Sequence, residues 1–123
     1  MLRIRPEKKT LYHCSAALVS NYMIGLYQMG LELLGECGLE REDAGRLFAP
    51  LVENNIEKML SCGPEQALSG PIERGDSGTI QKHLNELEGD AKQIYRLLGK
   101  KVLSVAGQKN PERDYEAVMA LLK

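Results

Sequence analysis

Residues 10–37, TLYHCSAALVSNYMIGLYQMGLELLGEC, are the stretch that decides the fold. Nothing in it resembles a turn, so we predict one helix from Lys9 to Cys37, which at about 1.5 Å per residue would be roughly 40 Å long. Apolar side chains lie on nearly every side of it, and a helix of that kind is buried by neighbours on more than one face. We therefore expect either a central helix of the fold or half of a subunit interface.

Three glycines interrupt the apolar pattern of this helix, at Gly25, Gly30 and Gly35. Each costs about 1 kcal/mol relative to alanine inside a helix, which is tolerable where another helix crosses closely. The spacing therefore predicts tight helix–helix contact. Gly38 is expected to end the helix in a left-handed conformation.

The rest of the chain predicts only helices. Pro50 should bend the second one, Gly63 and Pro64 should end it, and Asn110 with Pro111 reads as the start of the last one. The expected segments are residues 40–61, a short turn at 64–68, then 77–87, 91–106 and 112–122. The fold class is therefore all-α, a multi-helix bundle around one long central N-terminal helix.

Composition excludes several classes of function. With 123 residues the chain is one domain by length, and its net charge of −1 is mixed along the sequence. That balance, with no Trp and one Phe, argues against nucleic acid and against an anionic membrane surface. Three separated cysteines predict reduced thiols in a cytoplasmic protein, and with two histidines they give no metal spacing. Polar residues interrupt the long helix too often for a membrane span.

His13 and Asn21 are the first candidate site. On an ideal helix they lie about 80° apart around the axis, so one cleft could contact both. The alternative is that both are buried polar groups hydrogen-bonded to a neighbouring helix end.

The loop Ser69–Asp76 is the second candidate, because two glycines and a proline shape it and Arg74 could bind a carboxylate or phosphate. Arg74 could also pair with Asp76. The alternative is a structural corner in which Arg74 ties helix ends together and Asp76 caps the next helix. His83 could reach this loop, or be a satisfied residue at the edge of the apolar face.

Two motifs in these segments resemble a known family. Residues 12–17 with 20–22, YHCSAA and SNY, and residues 68–76 with 83–84, LSGPIERGD and HL, are similar to signatures of a helical C-terminal domain of unknown function. In that family the domain follows a Rossmann-like domain in NADP-dependent oxidoreductases. Their architecture is similar to that of 6-phosphogluconate dehydrogenase, pyrroline-5-carboxylate reductase and ketopantoate reductase.

The resemblance implies a 6-phosphogluconate dehydrogenase C-terminal-like fold and a homodimer with the long helix at its interface. Residues 1–7 would be the remnant of an interdomain connection and residues 8–123 a substrate-binding and dimerisation domain. The chain has no GxGxxG motif, so NADP would need the Rossmann-like domain and the chain alone would be inactive. The resemblance implies a small-molecule substrate, with catalytic His13 and Asn21, and substrate-binding Ser69, Arg74, Asp76 and His83. The alternative is a stand-alone homodimeric interaction module with no catalytic role.

Overall fold

A computed structural model describes residues 2–123, and all the secondary structure in that range is helical. The all-α, multi-helix fold class is therefore confirmed. The chain divides into two compact units, the first ending at Ala49 and the second covering Pro50–Lys123. After a 3-10 turn at Pro6–Lys8, the helices are α1 (Lys9–Val19), α2 (Asn21–Glu36), α3 (Arg41–Ala67), α4 (Pro71–Arg74), α5 (Ser77–Glu86), α6 (Gly89–Lys109) and α7 (Glu116–Leu121).

The single helix predicted from Lys9 to Cys37 is wrong, because the backbone breaks at Ser20. Ser20 has φ −115° and ψ −75°, and α2 starts at the next residue. Its hydroxyl donates a hydrogen bond of 2.6 Å to the carbonyl of Ala16. A serine that bonds back in this way competes with the helical ladder and bends the helix. Ser20 is visible in the sequence as a residue that can bond back to the helix, but the apolar periodicity around it predicted a continuous helix.

The end of α2 follows the prediction. Gly38 has φ +95°, a left-handed conformation that favours glycine. Its amide donates to the carbonyl of Gly35, and the amide of Leu39 donates to that of Leu34. This pair of bonds is a Schellman cap, which satisfies carbonyls that the helix leaves open.

The first unit has a small buried centre. Leu31 and Ala44 are buried, and Phe48 lies against Gly30, where an added Cβ would approach the Phe48 ring at 3.0 Å. Gly30 therefore marks close helix contact, as predicted. At Gly25 and Gly35 an added Cβ would meet nothing within 4 Å, so the contact predicted there is not made within this chain.

Of the two alternatives stated for the stretch that forms α1 and α2, a central helix buried on several faces within the chain is wrong, and the subunit interface stays a prediction. Among the described residues, Leu31 is the only one of the two helices that is buried, and it keeps 8% of its exposure. Large apolar side chains are exposed along both helices: Leu11, Tyr12, Leu18, Val19, Tyr22, Met23, Ile24, Leu26, Tyr27 and Leu33. We call these ten exposed side chains together the α1–α2 apolar face.

The second unit holds the main hydrophobic core. Its buried members come from α4 to α7 and their flanking residues: Ile72, Ile80, Leu84, Ala106, Tyr115, Val118 and Leu122. Ile80 and Leu84 lie one turn apart on α5, the period expected of a core-facing helix. Gly99 lets Leu122 approach α6 closely, since a Cβ there would lie 2.9 Å from Leu122 Cδ2.

Two predicted boundaries in this unit differ from the structure. Helix α6 starts at Gly89 rather than Ala91 and passes through Gly107 to Lys109. Residues 110–115 do not start a helix, because Asn110 ends α6 and its side chain is taken up by a polar cluster described below. By contrast, the break at Gly63, with φ +85° inside α3, is where the prediction placed it.

Candidate functional site

The loop Ser69–Asp76 is built as a fixed corner. Gly70 and Gly75 have φ +97° and +71°, and between them Pro71–Arg74 makes a single helical turn. The amide of Asp76 donates to the carbonyl of Pro71 at 2.8 Å, which closes the turn. Ile72 is buried in the core, so the loop is held from inside. A loop fixed in this way can present its polar side chains in one arrangement.

Asp76 caps α5, as the structural alternative predicted. Its carboxylate accepts hydrogen bonds from the Thr79 amide at 3.1 Å and the Thr79 hydroxyl at 2.7 Å. These bonds lower the pKa of Asp76, and the Arg74 guanidinium lowers it further, against a smaller opposing effect of burial. Arg74 lies 3.7 Å from the same carboxylate and is exposed. Arg74 is thus partly neutralised by Asp76 while remaining open to solvent.

Glu73 is the centre of a polar cluster that sequence reasoning missed. Its carboxylate accepts hydrogen bonds from Arg113 at 2.6 Å and Asn110 at 3.1 Å, with the Lys109 ammonium at 3.6 Å. Its backbone carbonyl accepts from Arg113 at 2.6 Å and from the Tyr115 hydroxyl at 2.7 Å. We call these five residues the Glu73 cluster.

The charges of the Glu73 cluster set its protonation. Burial raises the pKa of Glu73, but the Arg113 hydrogen bond and the positive charges of Lys109 and Arg113 outweigh it. The pKa therefore lies below its ordinary value, and the carboxylate is ionised at neutral pH. Lys109 also donates to the carbonyl of Leu68 at 2.8 Å, so the cluster contacts both Glu73 within the loop and the residue that precedes the loop.

His83 points to a partner other than the loop. Its Nδ1 is hydrogen-bonded to the Tyr95 hydroxyl at 2.9 Å, and the two rings meet edge to face with centroids 5.7 Å apart. Burial raises the pKa of Tyr95, so that phenol stays protonated across the physiological range. His83 is itself exposed. This geometry fits the alternative of a satisfied residue at the edge of the apolar face.

His13 and Asn21 lie on the first unit, on either side of the break at Ser20. Both are exposed, so the buried alternative considered for them is wrong. The angle between them expected on one ideal helix no longer applies, because they belong to α1 and α2. Asn21 Oδ1 lies 3.5 Å from the Ser20 hydroxyl, and no hydrogen bond joins the His13 side chain to another of residues 2–123. Their catalytic role stays a prediction.

Ser69 lies in a cleft on the second unit, which we call the Lys58 cleft. It has a volume of about 490 Å³. One face of α3 supplies one wall, and the chain beyond the Gly63 break supplies the other. The lining consists of Leu51, Asn54, Asn55, Glu57, Lys58, Ser61, Ala67 and Ser69. Of the predicted site residues, Ser69 is the one that this cleft contains.

Residues 2–123 bring together no group of three or more His, Cys, Asp or Glu side chains that could hold a metal ion. Within the same range, none of the helices combines the length and the apolar character that crossing a bilayer requires.

Comparison with known proteins identifies a family. The family model described as Domain of unknown function (DUF2520) matches residues 1–102. Because the match covers most of the chain, the chain belongs to that family. No curated protein and no solved structure matches it.

Proposed function

We propose that this member of the DUF2520 family is the substrate-binding and dimerisation domain of an NAD(P)-dependent oxidoreductase whose cofactor domain is Rossmann-like. The observation that carries the proposal is the α1–α2 apolar face. The two motifs described above, at 12–22 and 68–84, support the oxidoreductase part through their resemblance to such enzymes.

The α1–α2 apolar face needs a partner. Val19, Tyr22 and Ile24 are each about two-thirds exposed, at 69%, 66% and 68%. Soluble monomers rarely expose contiguous apolar surfaces larger than a few hundred Å². The open glycines on the same helix, Gly25 and Gly35, would allow close approach of a second helix. A second copy of this chain supplies a surface of matching character, and twofold homodimers are the commonest oligomers.

The cofactor does not fit this chain by itself. Residues 2–123 contain no strand, so they cannot form the strand, glycine-rich turn and helix that hold a dinucleotide pyrophosphate. In the proposed enzyme, NADP is bound by the Rossmann-like partner domain. The role of this chain would be to bind and orient the substrate, with Ser69 and Arg74 as contacts. His13 would exchange a proton with the substrate and Asn21 would hydrogen-bond to it.

Calorimetry tests whether this chain binds the cofactor without the Rossmann-like domain. Titration of NADPH into the 123-residue chain should give no binding heat, and micromolar binding would contradict the proposal. In an oxidoreductase that carries both domains, His13→Ala should lower kcat without changing the melting temperature. Gln81→Ala is the control, because it removes an exposed polar side chain of α5 that is not one of the predicted site residues.

One observation favours a second function, a homodimeric interaction module without catalysis. Catalytic histidines are normally oriented by a second group, and the His13 ring has no such partner among residues 2–123. Under this alternative, His13→Ala leaves turnover of the two-domain protein unchanged. Lost turnover at an unchanged melting temperature would reject the module.

A further inference from the structure

We propose that Lys58 is the anchor for an acidic group of the substrate, which we infer to be a small carboxylate that also carries a hydroxyl or ammonium group. The inference rests on the proposed substrate-binding function and places the ligand in the Lys58 cleft. It replaces Arg74 as the residue that would take the acidic group.

The first step is the shape of the cleft. Leu51, Asn54, Asn55, Lys58 and Ser61 recur every three or four residues, so they lie along one face of α3. That face would be an ordinary solvated helix surface if the chain continued straight. The left-handed Gly63 interrupts α3 instead, and Ser69 beyond it lines the same cleft.

The second step is the charge that is available. Arg74 lies 3.7 Å from the Asp76 carboxylate, which partly neutralises it. The ion pairs among residues 2–123 involve Arg46, Arg74, Lys109 and Arg113, and none includes Lys58. Lys58 is thus the cation in the cleft whose charge no protein carboxylate compensates within ion-pair distance.

The third step is the hydrogen-bonding inventory. The Asn54 and Asn55 carboxamides and the Ser69 hydroxyl can each donate to a carboxylate oxygen. The Ser61 hydroxyl donates to the Glu57 backbone carbonyl at 2.9 Å, so it offers only acceptor capacity. Glu57 also lines the cleft and is exposed, and its carboxylate makes no ion pair with another of residues 2–123. That carboxylate can accept a hydrogen bond, which a hydroxyl or ammonium group on the ligand would donate.

Nuclear magnetic resonance of the 15N-labelled chain tests the inference. The probes are glycolate and glycine, which carry a carboxylate with a hydroxyl or an ammonium, and ethanolamine, which has no carboxylate. Glycolate, glycine or both should shift the Asn54, Asn55 and Ser69 signals in a saturable way, and ethanolamine should not. Whichever of the two binds identifies the second group of the ligand.

Variants separate the anchor from its surroundings. Lys58→Gln should weaken carboxylate binding on the order of tenfold, the usual effect of losing one charge-assisted hydrogen bond. Lys58→Arg should retain it, and Lys82→Gln, which removes the same charge from an exposed position on α5, should leave it unchanged. Equal binding by Lys58→Gln and the wild type would overturn the inference, as would the absence of saturable shifts.

The outcomes also distinguish this inference from the proposed function. Binding that is lost in Arg74→Gln but kept in Lys58→Gln would overturn the Lys58 anchor while leaving a substrate-binding domain. If the probes shift the signals of Lys58→Gln and Lys82→Gln equally, the effect of each substitution comes from net charge alone, and this result would overturn the Lys58 anchor. Dimerisation through the α1–α2 apolar face is measured separately and does not depend on either result.

Discussion

Replacing Glu73 with glutamine should destabilise the second unit by removing one charge while keeping the side chain's shape. Glu73→Gln retains a carbonyl oxygen that Arg113 and Asn110 can still donate to. It removes the negative charge that faces Arg113 at 2.6 Å and Lys109 at 3.6 Å. The backbone carbonyl of Glu73 keeps its bonds from Arg113 and Tyr115, so the loop remains attached.

The magnitude follows from burial and charge. The side chains of Glu73 and Lys109 are 16% and 24% exposed, but that of Arg113 is 42% exposed, so solvent screens these ion pairs in part. Hydrogen bonds to charged groups contribute about 1.5–3 kcal/mol, and the loss here is partial, so we expect a decrease of about 2 kcal/mol in the free energy of unfolding. For a domain of this size that corresponds to about 8 °C in melting temperature.

Thermal and urea unfolding followed by circular dichroism measure this loss. The control is Glu42→Gln, which breaks an ion pair to Arg46 at 2.8 Å between side chains that are 79% and 70% exposed. Exposed pairs of this kind contribute about 0–1 kcal/mol. Equal effects of the two substitutions would refute the reasoning that the Glu73 cluster holds the loop.

The pH dependence provides a second check. The pKa of Glu73 is lower in the folded chain than its ordinary value, so the folded state binds the proton less tightly than the unfolded state. The contribution of ionised Glu73 to the free energy of unfolding is fully present above the pKa that Glu73 has in the unfolded chain. It is lost as the pH falls through the pKa of Glu73 in the folded chain. The difference between the wild type and Glu73→Gln should therefore shrink in acid. A difference that stays constant with pH would contradict the charge-based account.

Three further substitutions test the packing and the backbone. Gly99→Ala places a Cβ 2.9 Å from a methyl carbon of Leu122 and should cost about 1–3 kcal/mol by denaturant unfolding. Its control Gly107→Ala, on the same helix with nothing within 4 Å, should instead stabilise by about 0.5–1 kcal/mol. Gly38→Ala forces a side chain onto φ +95° and should destabilise by more than about 1 kcal/mol in the same assay. Ser20→Ala removes the back-bonding hydroxyl, so α1 and α2 should join, with stronger ellipticity at 222 nm and slower amide exchange near the break. Unchanged ellipticity and exchange would show that the hydroxyl does not cause the break.

Local sequence signals predicted most of the helices because each signal acts over a few residues. The apolar spacing of α5, the left-handed cap at Gly38 and the break at Gly63 all depend on neighbours along the chain. The same reasoning failed at Ser20, where a side-chain bond to the backbone competes with an apolar helical pattern. It also failed at Asn110, whose partners Glu73 and Tyr115 are supplied by the tertiary fold.

In the candidate site, too, features that depend on sequence neighbours were predictable and features that depend on the tertiary fold were not. The corner at Ser69–Asp76 and the cap by Asp76 were predictable from glycine, proline and aspartate positions. The Glu73 cluster was not, because its donors lie 37 to 42 residues further along the chain. Nor was the Lys58 cleft, since it depends on where the chain goes after Gly63. The roles of His13 and Asn21 were predicted from a resemblance, and the structure gives only their positions.

Sedimentation equilibrium tests the central claim, that α1 and α2 form a subunit interface, most directly. The wild-type chain should be a dimer at micromolar concentrations, and Ile24→Asp should convert it to a folded monomer, because it places a charge in the α1–α2 apolar face. Leu60→Asp is the matched control: Leu60 is 79% exposed on α3, outside that face, so this variant should remain dimeric. A wild-type chain that stays monomeric at high micromolar concentration, or an Ile24→Asp variant that dimerises as well as the wild type, would contradict the account.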